Sequence, residues 1–122
     1  MSRLSIKAQA SGATALNVLA SEMLDGMGPL IIERVAALRL PAIYMWGMWA
    51  ERGGFIGYGP SFDHLAELTA RFAASLLRGT KPADLPVEQP AKFELVINLK
   101  TANAIGVTVP EALLARADRV IE

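Results

Sequence analysis

The last third of the chain, residues 81–122, reads KPADLPVEQPAKFELVINLKTANAIGVTVPEALLARADRVIE. Its first ten residues contain three prolines, Pro82, Pro86 and Pro90. Each proline fixes its own φ and restricts the residue before it, so the pattern predicts an extended link over 80–90 and no helix there. A link of this kind crosses a surface or joins two lobes.

One apolar strand and two short helices are predicted after this link. The run FELVI at 93–97 is typical of a short buried strand. Asn98 can cap a helix that runs to Ile105 and ends at Gly106, and Pro110 suits the start of a last helix. The segment carries no cluster of catalytic residues, which favours binding over chemistry.

The clearest helix precedes the link, at 61–78. Asp63 favours its positive N-terminal end, Glu67 and Arg71 form an i, i+4 pair, and Gly79 supplies a left-handed stop. Apolar side chains recur at helical spacing. These positions are Phe62, Leu65, Leu68 or Thr69, Phe72, Ala73, Leu76 and Leu77.

Strands and helices alternate in the upstream half. Residues 13–20, ATALNVLA, fit a strand buried on both faces. A helix from Pro29 to about residue 39 follows, then a strand at 42–44, a short helix over 45–52 and a strand at 55–58. This order is the unit of a parallel sheet, so we predict an α/β fold in three layers.

Composition limits both the architecture and the kinds of partner. With 122 residues the chain is long enough for one α/β domain and short for two, so we treat residues 1–122 as a single domain. Hydrophobic residues make up 52% and charged residues only 20%, which predicts surface buried against a partner. A net charge of zero without a basic stripe argues against nucleic-acid binding. The absence of cysteine excludes disulfides and Cys-based zinc sites.

The N-terminal region superficially resembles a secretion signal, because Arg3 and Lys7 precede an uncharged stretch at 8–21. Polar residues dilute its apolar centre, so we favour a ragged start followed by a buried strand. The longest other uncharged stretch, 40–50, is shorter than the roughly 20 residues that a membrane-spanning helix needs. We expect no membrane insertion and, without a convincing signal peptide, a cytoplasmic location for the chain as it stands.

Glycines surround the predicted strand at 55–58. Gly54, Gly57 and Gly59 give GxxGxG rather than the dinucleotide fingerprint GxGxxG, and no P-loop lysine follows. We therefore favour turn-forming glycines over nucleotide binding and expect no cofactor.

The single histidine, His64, lies beside Asp63 and three residues after Ser61. Adjacent positions on one helix point in different directions, whereas a catalytic triad needs side chains that converge. One histidine and no cysteine also make a transition-metal site improbable. We expect a surface histidine, no metal and no enzyme.

Candidate ligand contacts follow the predicted strands, where ligands bind in open parallel sheets. Tyr44 and Trp46 follow the second strand, close to Trp49 and several methionines, and such side chains can line a pocket for an apolar or aromatic ligand. Tyr58 and Ser61 follow the third strand. Ordinary core packing is the alternative for the aromatic residues.

The first predicted strand ends at Ser21 and Glu22. The Ser21 hydroxyl could hold a ligand's ammonium or hydroxyl group, or it could cap a turn. For Glu22 we favour the turn.

Four segments of the chain carry a family resemblance, which runs from about Ala15 to the end. They are RLPAIY at 39–44, GGFIGYGPS at 53–61, LLRGTKPADLPVEQPAKFELVINLKTANAIGVTVP at 76–110 and LLARADRVIE at 113–122. The chain resembles the C-terminal portion of ABC transporter substrate-binding proteins of the tryptophan/tyrosine type, and the long third segment is specific to that group.

This resemblance implies a type I periplasmic-binding-protein fold, in which two α/β lobes joined by hinge strands hold a small solute in their cleft. The resemblance also implies that the solute, such as an amino acid, is passed to an ABC permease. The binding protein acts in the periplasm and catalyses no reaction. Ser21, residues 44–46 and residues 58–61 would face the cleft, and the proline-rich link would lead toward a hinge.

The family pattern also includes an N-terminal segment and a complete N-terminal sheet, so we expect this chain to be an incomplete, C-terminal piece. Strands that lack their neighbours leave edges and apolar faces open. We therefore expect a homo-oligomer, formed for example by strand exchange.

Two other kinds of function stay open on the residues alone. A small flavodoxin-like or receiver-like interaction module would need an acidic cluster at the strand ends, and only Glu22 and Asp25 come near that. A hydrolase would need a nucleophile and base that converge, which His64 does not supply. A truncated remnant that binds no ligand is a further alternative.

Overall fold

The computed structural model describes Lys7 and residues 10–122, and the other positions, including Arg3 and the start of the uncharged stretch at 8–9, lie outside the described residues. Within residues 10–122 five strands form one sheet in the order β1-β2-β3-β4-β5. The strands are β1 (Leu16–Val18), β2 (Ala42–Tyr44), β3 (Ile56–Pro60), β4 (Phe93–Asn98) and β5 (Arg119–Ile121). The helices between them are α1 (Glu22–Gly26), α2 (Gly28–Ala37), α3 (Gly47–Glu51), α4 (Phe62–Leu77), α5 (Leu99–Ile105) and α6 (Glu111–Leu114), with a 3₁₀ turn at Pro82–Asp84.

The α/β class is confirmed. Strands β1, β2 and β3 are mutually parallel, as are β4 and β5, whereas β4 runs antiparallel to β3. The direction reverses because the chain leaves the sheet at the end of β3 and enters β4 at the same end of the sheet. The predicted strand at 42–44 is confirmed, and so are a strand near 55–58 and one near 93–97.

The prediction that the first strand is buried on both faces is wrong. Among the described residues strand β1 pairs only with β2, so it lies at one side of the described sheet, and Asn17 at its centre is exposed. Sequence reasoning also did not predict α1 or β5, both of which are five residues or shorter.

Helices pack on both faces of the sheet around two hydrophobic clusters. On the first face, Tyr44 and Ala42 of β2 contact Val35 of α2 and Trp49 of α3. On the second face, Ile97 of β4 packs against α5 and α6. These two faces are opposite sides of the sheet. Tyr44 lies level with Gly57 of β3, whereas Ile97 lies level with Ile56, the residue before Gly57. Neighbouring residues of a strand point to opposite sides of the sheet.

The backbone of residues 45–47 crosses β3 so closely that β3 must carry glycine there. A Cβ on Gly59 would lie 1.8 Å from the Met45 carbonyl oxygen, and one on Gly57 would lie 2.4 Å from the Trp46 carbonyl oxygen. Both values are far below any van der Waals contact. The expectation that these glycines form turns is therefore wrong: they lie within β3 and make room for the segment that leads into α3.

Asn98 caps α5 as predicted. Its Oδ1 accepts a hydrogen bond from the Thr101 amide at 3.0 Å, and its Nδ2 donates to the Ala50 carbonyl at 2.8 Å. The helix ends at Gly106 with φ 78°, the left-handed conformation that glycine adopts readily. Asn98 is buried, so this single amide joins β4, α5 and α3.

Residues 61–92, which we call the arm, leave the sheet between β3 and β4. The Ser61 amide donates to the Lys92 carbonyl at 2.8 Å and closes the base of the arm. Helix α4 begins after Ser61, whose Oγ accepts from the His64 amide at 3.4 Å, as the predicted helix start requires. The link is extended apart from the 3₁₀ turn at Pro82–Asp84, and an Arg71–Glu88 ion pair holds it to α4. No residue of the arm is buried.

We expect Gly59→Ala to destabilise the fold by more than about 3 kcal/mol, because the Met45 carbonyl would have to move and carry α3 with it. Gly26→Ala is the matched control, since a Cβ there meets nothing within 4 Å and should change stability by less than about 1 kcal/mol. Urea unfolding followed by circular dichroism measures both. Equal stability of the two variants would contradict the close approach.

Burial raises the pKa of Tyr44 from 10.0 to about 12. The folded state therefore holds the Tyr44 proton more tightly than the unfolded chain does. The contribution of this proton to the free energy of unfolding is complete below pH 10 and is lost as the pH rises from about 10 to 12. We expect Tyr44→Phe to remove the latest-titrating step of tyrosinate absorbance near 295 nm. A titration curve unchanged by Tyr44→Phe would contradict the assignment.

Candidate functional site

The carboxyl ends of β1, β2 and β3 meet at one edge of the sheet, because these strands are parallel neighbours. Strand β4 runs the other way, so its first residue, Phe93, lies at the same edge and pairs with Pro60, the last residue of β3. We call this the strand-end edge. The base of the arm lies there as well.

An aromatic pair lies at the strand-end edge where β2 and β3 end. Trp46 follows β2 by two residues and is half-buried, and Phe62 is the first residue of α4. Their ring centroids are 5.8 Å apart with the planes at 80°, an edge-to-face contact. Phe62 remains 57% exposed, so a large part of its ring is open to a ligand or another surface.

A second aromatic pair lies beside it. Tyr58 and Phe93 have ring centroids 6.0 Å apart, and each is about half exposed. Tyr58 follows Gly57 in β3 and so points to the second face of the sheet, opposite the segment 45–47. The structure therefore does not bring Tyr58 onto the same face of β3 as the segment that carries Trp46.

Two serine residues flank the edge. Ser21 precedes α1 in extended conformation, and its side chain makes no capping hydrogen bond. Ser61 accepts from the His64 amide, which leaves its own hydroxyl hydrogen free to donate. Both predicted hydroxyls thus follow strand ends at this edge, after β1 and β3 respectively.

A carboxylate joins these groups on the first face. Glu94 lies level with Gly59 in the sheet, and its Oε1 would lie 2.8 Å from a Cβ on Gly47, the residue after Trp46. The side chain is half-buried. An ionised carboxylate here offers only acceptors, which suits a cationic group such as an ammonium.

Tyr44 and Trp49 lie in the core instead of at the edge. Their rings stack at 5.0 Å with the planes 16° apart, and both are almost completely buried. Tyr44 was expected to contact a ligand, but its side chain points to the first face beneath α2 and α3. For these two aromatic residues the structure supports core packing.

Sequence reasoning missed Phe62, Phe93 and Glu94 as members of this edge. Phe62 was assigned only to the apolar stripe of a helix. Phe93 and Glu94 begin a strand, and in a wholly parallel sheet the start of a strand lies at the opposite edge. Only the antiparallel return of β4 places them here.

Two further features of the described residues contribute no chemistry. A small depression lies at the other end of the strands, and the Thr101 hydroxyl that lines it already donates a hydrogen bond to the Gly53 carbonyl at 2.9 Å. His64 meets Ser61 through its main-chain amide, and its ring Nδ1 lies 3.8 Å from Glu67. A serine–histidine relay therefore does not form between these two residues.

The described residues lack both a cluster suited to a metal ion and a helix suited to a membrane. No group of three or more His, Cys, Asp or Glu residues there could hold a metal ion. None of the helices in that part of the chain has the length and apolar character to span a membrane.

Two solved structures are similar to nearly the whole chain. A conserved domain protein from Vibrio cholerae matches with a TM-score of 0.85 and 27% identity over 93% of this chain. An ABC domain from Streptococcus pneumonia, solved in complex with L-Trp, matches with a TM-score of 0.84 and 27% identity over 95% of this chain. The matches cover 38% and 39% of those proteins, so this chain spans about two fifths of their length.

A third structure shares the fold at lower similarity. It is the ligand-free, open form of a substrate-binding protein with adhesive properties from Clostridium difficile, with a TM-score of 0.63 and 18% identity over 97% of this chain and 40% of that one. No curated protein gave a significant match.

The model of one protein family, described as ABC transporter substrate binding protein, matches residues 4–121. That range contains β1 to β5 and every residue of the strand-end edge discussed above. The chain therefore belongs to the ABC transporter substrate-binding protein family.

Proposed function

We propose that this chain is a solute-binding lobe of an ABC importer and that it binds an amino acid with an aromatic side chain at the strand-end edge. The observation that carries the proposal is an aromatic pair, the half-buried Trp46 and the exposed Phe62, on the same face as the Glu94 carboxylate, which lies beside Gly47, the residue after Trp46. The L-Trp bound to the pneumococcal protein supports the choice of ligand class.

Each group of the edge has a part in holding such a ligand. The ligand ring packs against the edge-to-face pair of Trp46 and Phe62, in which the Phe62 ring is more than half exposed. Its ammonium group is received by Glu94, and its carboxylate accepts hydrogen bonds from the Ser21 and Ser61 hydroxyls. Tyr58 belongs to the rim of the site, on the far side of β3, and Tyr44 is left out because it is buried.

The function is binding without catalysis. The groups at the edge are aromatic rings, hydroxyls and one carboxylate, and among the described residues Ser61 bonds to His64 through the main-chain amide and not through the imidazole ring. The family resemblance implies that the bound solute is passed to an ABC permease from the periplasm.

The complete binding site is a cleft between two lobes, and this chain supplies one wall. The chain spans about two fifths of its solved relatives, which leaves room for the second wall in proteins of their size. The arm begins and ends at the strand-end edge, so it is placed like the hinge segment that the resemblance implies.

Isothermal titration calorimetry with L-Trp, L-Tyr and L-Leu tests the proposal. We expect the two aromatic ligands to bind more tightly than L-Leu. Trp46→Ala should weaken L-Trp binding at least about tenfold, equivalent to about 1.4 kcal/mol, through loss of the ring contact. Leu77→Ala is the control, because Leu77 is exposed at the far end of α4 and should not affect binding.

The role of Glu94 has a separate readout. Glu94→Gln should weaken L-Trp binding but leave the binding of indole-3-propionate unchanged, since that compound lacks the ammonium group. Equal losses for both ligands would mean that Glu94 acts only through the position of α3. Absence of binding heat with every ligand tested would overturn the proposed site.

A further inference from the structure

Alternate residues of β4 face α3 from its start to its end. Glu94 and Val96 lie beside the start of the helix, since a Cβ on Gly47 would lie 2.8 Å from the Glu94 Oε1 and 2.8 Å from the Val96 Cγ2. Asn98, two residues further along the strand, donates from Nδ2 to the Ala50 carbonyl at 2.8 Å, one residue before the end of α3. The three side chains share one side of the sheet because side chains alternate along a strand. Strand β4 therefore contacts α3 at both ends.

Thr101 provides a second attachment just beyond the end of α3. Its hydroxyl donates to the Gly53 carbonyl at 2.9 Å, and its amide donates to the Asn98 Oδ1 at 3.0 Å. The turn after α3 is also closely packed, because a Cβ on Gly54 would lie 2.7 Å from the Cε2 atom of the Tyr44 ring. Asn98 and Thr101, which we call the α3 clamp, thus bond to each other and to the end of α3.

Helix α3 depends on this clamp because the helix is short. It has five residues, little more than one turn, and a single turn of helix is not stable by itself. At its start, the contact of residues 45–47 with β3 is steric and resists closer approach far more strongly than separation. In its middle, Trp49 stacks on Tyr44. If the far end is released, α3 turns about this stack and Trp46, at the near end, moves.

We propose that Asn98 and Thr101 are positioning residues that set the separation of Trp46 from Glu94, and with it the selectivity of the site for an amino acid over its ring alone. This inference rests on the proposed function, in which Trp46 contacts the ligand ring and Glu94 receives the ammonium group. Asn98 and Glu94 belong to the same strand, so the clamp ties the ring contact to the strand that carries the ammonium contact. Asn98 itself is buried at the other end of that strand and acts only through α3.

The ratio of the dissociation constants for indole-3-propionate and L-Trp measures this selectivity, because only L-Trp has the ammonium group. Thr101→Val keeps the size of the side chain and removes the bond to the Gly53 carbonyl. Asn98→Ser keeps an oxygen that can cap α5 and removes the bond to the Ala50 carbonyl. We expect isothermal titration calorimetry to show that each variant lowers the ratio at least about fivefold, mainly through weaker L-Trp binding.

Two control variants separate positioning from stability. Thr101→Ser keeps the hydroxyl and should keep the ratio within about twofold of the unchanged protein. Val109→Ala removes buried volume from the hydrophobic cluster on the second face and leaves both bonds of the clamp in place. It should lower the stability without changing the ratio. A merely structural role of the clamp would instead make the ratio respond alike to Thr101→Val and Val109→Ala.

A readout without ligand tests the position of Trp46 separately. The chain has two tryptophans, so protein labelled with 5-fluorotryptophan gives two fluorine NMR signals, and Trp46→Phe assigns them. We expect Thr101→Val and Asn98→Ser to shift or broaden the Trp46 signal. Thr101→Ser and Val109→Ala should leave that signal unchanged.

An unchanged Trp46 signal in both clamp variants would overturn the inference, and so would an unchanged ratio in a protein that binds L-Trp. A shifted Trp46 signal in a protein that binds neither ligand would support the positioning of Trp46 and overturn the proposed function. If Asn98→Ser does not fold, Thr101→Val decides both measurements, because Thr101 is only half-buried.

Discussion

The close approach of residues 45–47 to β3 is the constraint on which the rest of the structure depends. Gly57 and Gly59 present bare backbone to this segment, and any side chain there would overlap carbonyl oxygens of Met45 or Trp46. This contact fixes the start of α3 on the sheet. It thereby seats Trp49 against Tyr44 in the core and leaves Trp46, three residues earlier, at the strand-end edge.

The reversal of chain direction at β4 then decides which side chains join that edge. Strands β1 to β3 place at the strand-end edge the residues that follow their carboxyl ends. Strand β4 places its first residues there. Phe93 and Glu94 therefore lie beside the ends of strands that precede them by more than thirty residues. The buried Asn98 at the other end of β4 holds the strand by bonds to Ala50 and Thr101. These buried hydrogen bonds fix the far end of the strand whose first residues lie at the strand-end edge.

The arm has the opposite character. It is tied to the sheet by the Ser61–Lys92 hydrogen bond and is braced by the Arg71–Glu88 pair, but it buries no residue. Hydrophobic burial is the dominant favourable term in folding, so an amphipathic helix that lacks it is built for a partner surface. The apolar composition of the chain has the same origin, because large side chains such as Phe62, Leu76 and Leu77 remain exposed.

The sequence by itself determined the local elements and the family. Proline and glycine positions, the Asn98 and Ser61 caps and the period of apolar residues act over a few neighbours, so α4, α5, β2 and the extended link could be predicted. Only the tertiary structure decided strand direction, and with it the membership of the strand-end edge. It also decided that Tyr44 is core and Phe62 surface, although both are aromatic residues beside a strand end. Which side of a strand is covered depends on packing between distant segments, and neither composition nor spacing encodes that directly.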